Sequence, residues 1–146
     1  MLAEFSDTVR ESTLKRLKIV PTGKENFRIN EGSMSFADIA KHLIDCDKEL
    51  IRVHITKYKS KQLGKSKSKL IKLRDEFDKL ITALDILKTK RRNFILSLNN
   101  ELITGQIQVD SIAGKKKEYL GLLVHRMLDH EAHHRGQISV LLKFVL

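Results

Sequence analysis

The sequence predicts an all-α protein, a four-helix bundle with an irregular or weakly hairpin-like connection ahead of its last helix. Three observations carry that prediction. The 146 residues include one proline, seven glycines and only 5% aromatic side chains, which argues against a sandwich or barrel and leaves a helix-forming composition. Four stretches place apolar residues at alternating spacings of three and four, the mark of a buried helical stripe. Polar, glycine- or lysine-bearing segments separate them. The length suits a single domain, residues 1–146, with one sizeable core.

The first helix is expected from Leu2 to about Lys18, with Leu2, Phe5, Val9 and Leu17 on its stripe, and Val20-Pro21-Thr22-Gly23 stops it. Lys24 to Ser33 reads as an ordered loop anchored by Phe27 and Ile29. Ser35 is the N-cap of a second helix, with Asp38 three residues on as the acid of a capping box. Phe36, Ile39, Leu43, Cys46, Leu50 and Val53 form its seam. The lysine-rich stretch Lys57 to Lys69 reads as a mobile linker. A third helix follows, with Leu70, Leu73, Phe77, Leu80, Leu84, Leu87, Phe94 and Leu98 in register and Arg91 as the one interruption. Between Glu101 and Gly114 the periodicity changes toward an extended or hairpin-like connection. The last helix runs from about Leu120 to the last residue.

A net charge of +10 invites a nucleic-acid partner, because phosphate affinity comes largely from Lys and Arg. Its distribution weighs against one. Most of the lysines cluster in the 57–69 linker and at Lys115, Lys116 and Lys117, with no aromatic residues interleaved for base stacking. A solvated lysine surface is the simpler account. A single cysteine excludes an internal disulfide. With no signal-like segment and no long uncharged apolar run, a soluble cytoplasmic protein without membrane attachment is expected.

The chemistry concentrates in His125 to Gln137, where a helix would otherwise bury leucines. At 100° per residue, Leu120, Leu123, Val124, Met127, Ile138, Leu141, Leu142 and Val145 share one side. His130 and His134 fall on that same side, one above the other, and burying them without a partner is costly. His133 points to the flank and His125 away from the stripe. A metal ion satisfies two inward imidazoles economically, but two ligands make a weak site. The third candidates are His42 and His54, twelve residues apart or about 18 Å along a helix, so only one can reach. His42, at the seam beside Ile39 and Cys46, is preferred. Three protein ligands leave a position open to water or substrate, as in a catalytic zinc site. All-imidazole ligation does not choose among zinc, nickel, copper and iron.

His130-Glu131-Ala132-His133-His134 also satisfies the His-Glu-x-x-His pattern of zinc peptidases. No Glu, Asp or His follows His134 to complete such a site, and a short helical bundle lacks the strand on which a peptide substrate lies. Ser33 to Leu43, taken with Asp129 to Gln137, resembles the DinB/YfiT-like family of four-helix bundles. The resemblance implies one divalent metal ion, zinc or nickel most often, held by His42, His130 and His134. It further implies a homodimer and a thiol S-transferase-like or related metal-dependent activity, with a small-molecule substrate and a low-molecular-weight thiol as cosubstrate. Family members often carry a tryptophan before the second helix; this chain has none, and Phe27 stands in that region.

Other residues have two readings. Cys46, one turn after His42, reads as a small core hydrophobe, with a fourth metal ligand or redox thiol as the alternative. Glu131, near the middle of the apolar arc, either serves the ion, by orienting a ligand histidine or as a catalytic group that takes a proton from metal-bound water, or is a buried partner of an arginine or lysine on a neighbouring helix. Arg135 and Gln137 flank the site. The expected function is therefore a metal-dependent activation of thiol or water. Its rival is a non-catalytic stress-response or binding protein with a structural metal.

Overall fold

The computed structural model describes residues 1–56, 59–60, 69–98, 106–111 and 114–146, with the backbone alone for 53–56, 59–60, 106–111 and 114–118. Its helices are α1 (Leu2–Lys18), α2 (Phe36–Thr56), α3 (Arg74–Ser97) and α4 (Leu120–Val145). Three short strands, β1 (Lys59–Ser60), β2 (Gln106–Ser111) and β3 (Gly114–Tyr119), form one small sheet in that order. β2 and β3 pair antiparallel, from Gln106 opposite Tyr119 to Ser111 opposite Gly114, so the connection ahead of α4 is a hairpin. β1 adds to its edge in parallel, with Lys59 opposite Gln108.

The helices form a four-helix bundle in which α1 packs against α3 and α4, and α2 packs against the same two. Around the bundle the order is therefore α1, α3, α2, α4, and α1 and α2 stand across from each other. Each helix passes through the same three layers. One apolar layer holds Leu14 and Leu17 of α1, Phe36, Ile39 and Leu43 of α2, Phe77 and Leu84 of α3, and Ile138 and Leu141 of α4. The other holds Ala3, Leu50, Phe94, Leu120 and Val124. Between them each helix contributes one buried charged residue, namely Arg10, Asp47, Arg91 and Glu131. The order of the layers along each chain segment shows that α1 and α4 run one way and α2 and α3 the other.

The connection from α1 to α2 is built by local hydrogen bonds. The Ile19 and Val20 N–H groups close α1 on the Arg16 and Leu17 carbonyls. Gly23 takes a φ of +93°, which a side chain would disfavour, and its N–H donates to Glu25 Oε2 at 2.9 Å. Ser35 and Asp38 form a reciprocal capping box, each side chain accepting from the other's backbone N–H at 3.0 Å. Arg28 pairs with Asp38 at 2.9 Å, which ties the loop to the start of α2. The carboxamide of Asn26 clamps both backbone groups of Ile71 at 2.8 and 2.9 Å, so the approach to α3 is fastened to the same loop.

Four expectations from periodicity are corrected. Phe5, Leu70 and Leu73 are exposed, and so is Ile29. The buried face of α1 carries Ser6, Arg10 and Thr13 beside its apolar residues, and this polar stripe rotates Phe5 outward. Leu70 and Leu73 precede α3, which begins at Arg74. Ile29 does not anchor its loop, whereas Phe27 does, with its ring 6.2 Å from that of Phe144. Within the lysine-rich stretch Lys59 and Ser60 are strand-paired; the rest of 57–68 lies outside the described residues, as does all of 99–105.

Candidate metal centre

α2 and α4 face each other in the bundle and bring together histidines far apart in sequence. His130 and His134, one turn apart on α4, meet His42 of α2. His130 Nε2 lies 3.3 Å from His42 Nε2 and 3.0 Å from His134 Nε2. The three rings stand nearly perpendicular to one another, with centroids 4.4 to 5.0 Å apart. A single N–H on His130 Nε2 can serve only one of its two neighbours at a time. For a tetrahedral ion with metal–nitrogen bonds of about 2.0–2.1 Å the nitrogens sit about 3.3 Å apart, so these separations fit a shared metal ion. The donor set fits as well, because neutral imidazole is the commonest protein ligand for such ions.

The imidazoles are held neutral. His134 is pushed down to about 4, chiefly by burial, with the hydrogen bond to Gln137 opposing and neighbouring histidines adding to the fall. His42 and His130 are also lowered, first by burial and then by the histidine facing each. A neutral ring keeps a lone pair to offer.

A cleft of about 510 Å3 opens on the cluster, lined by His42, His130, His134, His133 and Gln137 and roofed by Asn30 to Met34 of the α1–α2 loop. His133 is exposed, as its flank position implies, yet it borders this cleft and its ring contacts that of His134 at 5.4 Å. His125 is exposed beside Asp129 and takes no part. The side chain of His54 lies outside the described ones. Gln137 is the neighbour whose role the sequence left unstated. Its Oε1 lies 2.6 Å from His134 Nδ1, and its spacing of three from His134 on one helix face was the available signal.

Cys46 lies behind the histidines, with Sγ 3.7 Å from His42 Nε2. The ligand atoms of His42, Cys46 and His130 fall within 4.8 Å of one another. The thiol is buried and pushed up to about 12, by desolvation first and then by Asp47, Asp45 and other carboxylates.

Glu131 belongs to another cluster. Its Oε1 accepts from Arg10 Nε at 2.7 Å, and its Oε2 accepts from Arg91 at 2.5 Å. Asp47 accepts from the same two arginines at 2.6 and 3.0 Å, and Arg91 is further held by Ser6 at 2.7 Å. Burial works to raise the Glu131 carboxyl, but the two guanidinium groups outweigh it and hold it below the usual range. Asp47 goes the other way, raised by burial that its arginines only partly offset. A carboxylate engaged by two arginines is a poor proton acceptor. Glu131 thus makes the ion pairs with arginines of neighbouring helices that the sequence offered as one of its two readings.

Comparison with solved structures places this architecture among known folds. A DinB-like protein from Bacillus subtilis, YjoA, is 17% identical, with a TM-score of 0.70 over 97% of this chain and 90% of that one. A DinB-like protein from Bacillus cereus is 15% identical, with a TM-score of 0.69 over 92% and 84%. YfiT from Bacillus subtilis, described as a probable metal-dependent hydrolase with an unusual four-helix bundle topology, is 12% identical, with a TM-score of 0.72 over 96% and 83%. A search of curated protein sequences found no match. Among the described residues no helix is long and apolar enough to cross a membrane. The sequence model of the DinB family matches residues 1–144, and the chain therefore belongs to the DinB family.

Proposed function

We propose that this chain holds one divalent metal ion, zinc or nickel by its family resemblance, through His42, His130 and His134, and that it is a metal-dependent enzyme acting on a small molecule in the adjoining cleft. The observation that carries this is the convergence of three neutral imidazoles, from two facing helices, on the floor of an open cleft. An ion held there would lower the pKa of a water or thiol at its open side. The residues of the chain orient the ion, and the loop Asn30–Met34 shapes what can approach. The description of YfiT as a probable metal-dependent hydrolase favours water as the nucleophile, whereas the family resemblance favours a low-molecular-weight thiol. Elemental analysis of the purified protein, followed by hydrolysis and thiol-conjugation assays with the metal present and chelated, tests the proposal. Stoichiometric metal and chelator-sensitive turnover support it; a protein that takes up no zinc or nickel overturns it.

A second reading has its own observation, the position of Cys46 within reach of His42 and His130. If Cys46 is a ligand, the site is closed on its inner side and the metal is structural. Cobalt substitution separates the two. A near-ultraviolet thiolate charge-transfer band that disappears in Cys46→Ser supports the closed site, and a spectrum unchanged by Cys46→Ser supports the three-histidine one.

A further inference from the structure

The proposed site requires His134 to present the lone pair of Nε2, and a neutral imidazole does so only when its proton sits on Nδ1. Gln137 supplies the reason for that choice. Its Oε1 can only accept, and it lies 2.6 Å from His134 Nδ1, so the ring donates Nδ1–H and leaves Nε2 free beside His130. Among the described residues, no hydrogen bond from Nδ1 of His42 or His130 to an oxygen is present; His42 Nδ1 has Cys46 Sγ at 4.0 Å. Among the described residues, His134 is thus the one ring of the three with an oxygen acceptor at Nδ1. Gln137 itself is exposed at the cleft edge and packs into neither apolar layer.

Resting on the metal-site reading above, we propose that Gln137 is a positioning residue that locks His134 in the Nδ1–H tautomer and thereby sets the affinity of the site for its metal. Removing the lock leaves the proton free to occupy Nε2, which blocks ligation, and lets the ring rotate. Partners of this kind typically account for 10–100-fold in metal affinity.

The test uses zinc, titrated against a chromophoric chelator, with the unaltered chain and its Gln137→Ala, Gln137→Glu and His134→Ala variants. Gln137→Ala should bind zinc about 10–100-fold more weakly, with the melting midpoint of the metal-free protein unchanged. Gln137→Glu keeps an oxygen acceptor at the same place and should bind at least as tightly as the unaltered chain. Long-range proton–nitrogen spectra of the metal-free protein should show His134 as the Nδ1–H tautomer, and Gln137→Ala should lose that preference. Zinc affinity unchanged in Gln137→Ala, or equal weakening in both Gln137 variants, overturns the proposal while His134→Ala still abolishes binding. Full zinc binding by His134→Ala overturns the metal-site reading itself, and this inference with it.

Discussion

The histidine cluster and the charge cluster occupy neighbouring turns of α2 and α4, and both put polar groups where a bundle normally buries leucine. They differ in what is left unmet. In the charge cluster two guanidiniums meet two carboxylates, the net charge cancels, and Arg10, Arg91, Asp47 and Glu131 are all bonded across the four helices. In the histidine cluster three Nε2 atoms converge beside a cleft, and His130 Nε2 lies within reach of both of the others. A satisfied polar core specifies register; imidazoles that converge beside a cleft have lone pairs to offer a ligand. The sequence His130-Glu131 shows how close the two can stand, since adjacent residues serve opposite purposes.

Substitutions should separate the clusters by what they damage. The largest effect belongs to the histidines: His130→Ala and His134→Ala should each abolish stoichiometric metal while the far-ultraviolet helical signal persists. Full metal retention in either would remove the distinction. Next, Glu131→Leu should strand Arg10 and Arg91 without one carboxylate and lower unfolding stability by about 3–5 kcal/mol, measured by urea denaturation of the metal-free protein. A loss under about 1 kcal/mol would mean that the cluster is hydrated or loosely held. The smallest effect sharpens the picture at the site's edge. Ser35→Ala removes one half of the capping box and should cost about 1 kcal/mol, with metal affinity unchanged; a fall in affinity would show that the start of α2 also sets the position of His42.

Much of this was legible from periodicity. α1 and α4 begin and end where the apolar spacing says, and the Ser35/Asp38 capping box was readable because its two partners are three residues apart. His130 and His134 could be paired by helix geometry alone. Arg91 registered as a flaw in an apolar seam, yet its partners could not be assigned, because Arg10, Asp47 and Glu131 sit on three other helices and only the fold shows that their charges cancel. The same blindness misplaced Phe5, whose helix turns a polar stripe inward. β1 was invisible for a related reason: two residues of a lysine-rich stretch are extended only because β2 is there to pair with them.

The order of the helices around the bundle bears on how the chain assembles. α1 and α2 are consecutive but stand across from each other, so they do not pack as a local hairpin; both pack against α3. Contacts of long sequence separation slow folding relative to an up-and-down bundle. α4 completes the ring and brings His130 and His134 to His42. A chain in which the last helix has not docked lacks the proposed metal site, so on that reading a metal bound at full stoichiometry doubles as a report that the last helix is in place.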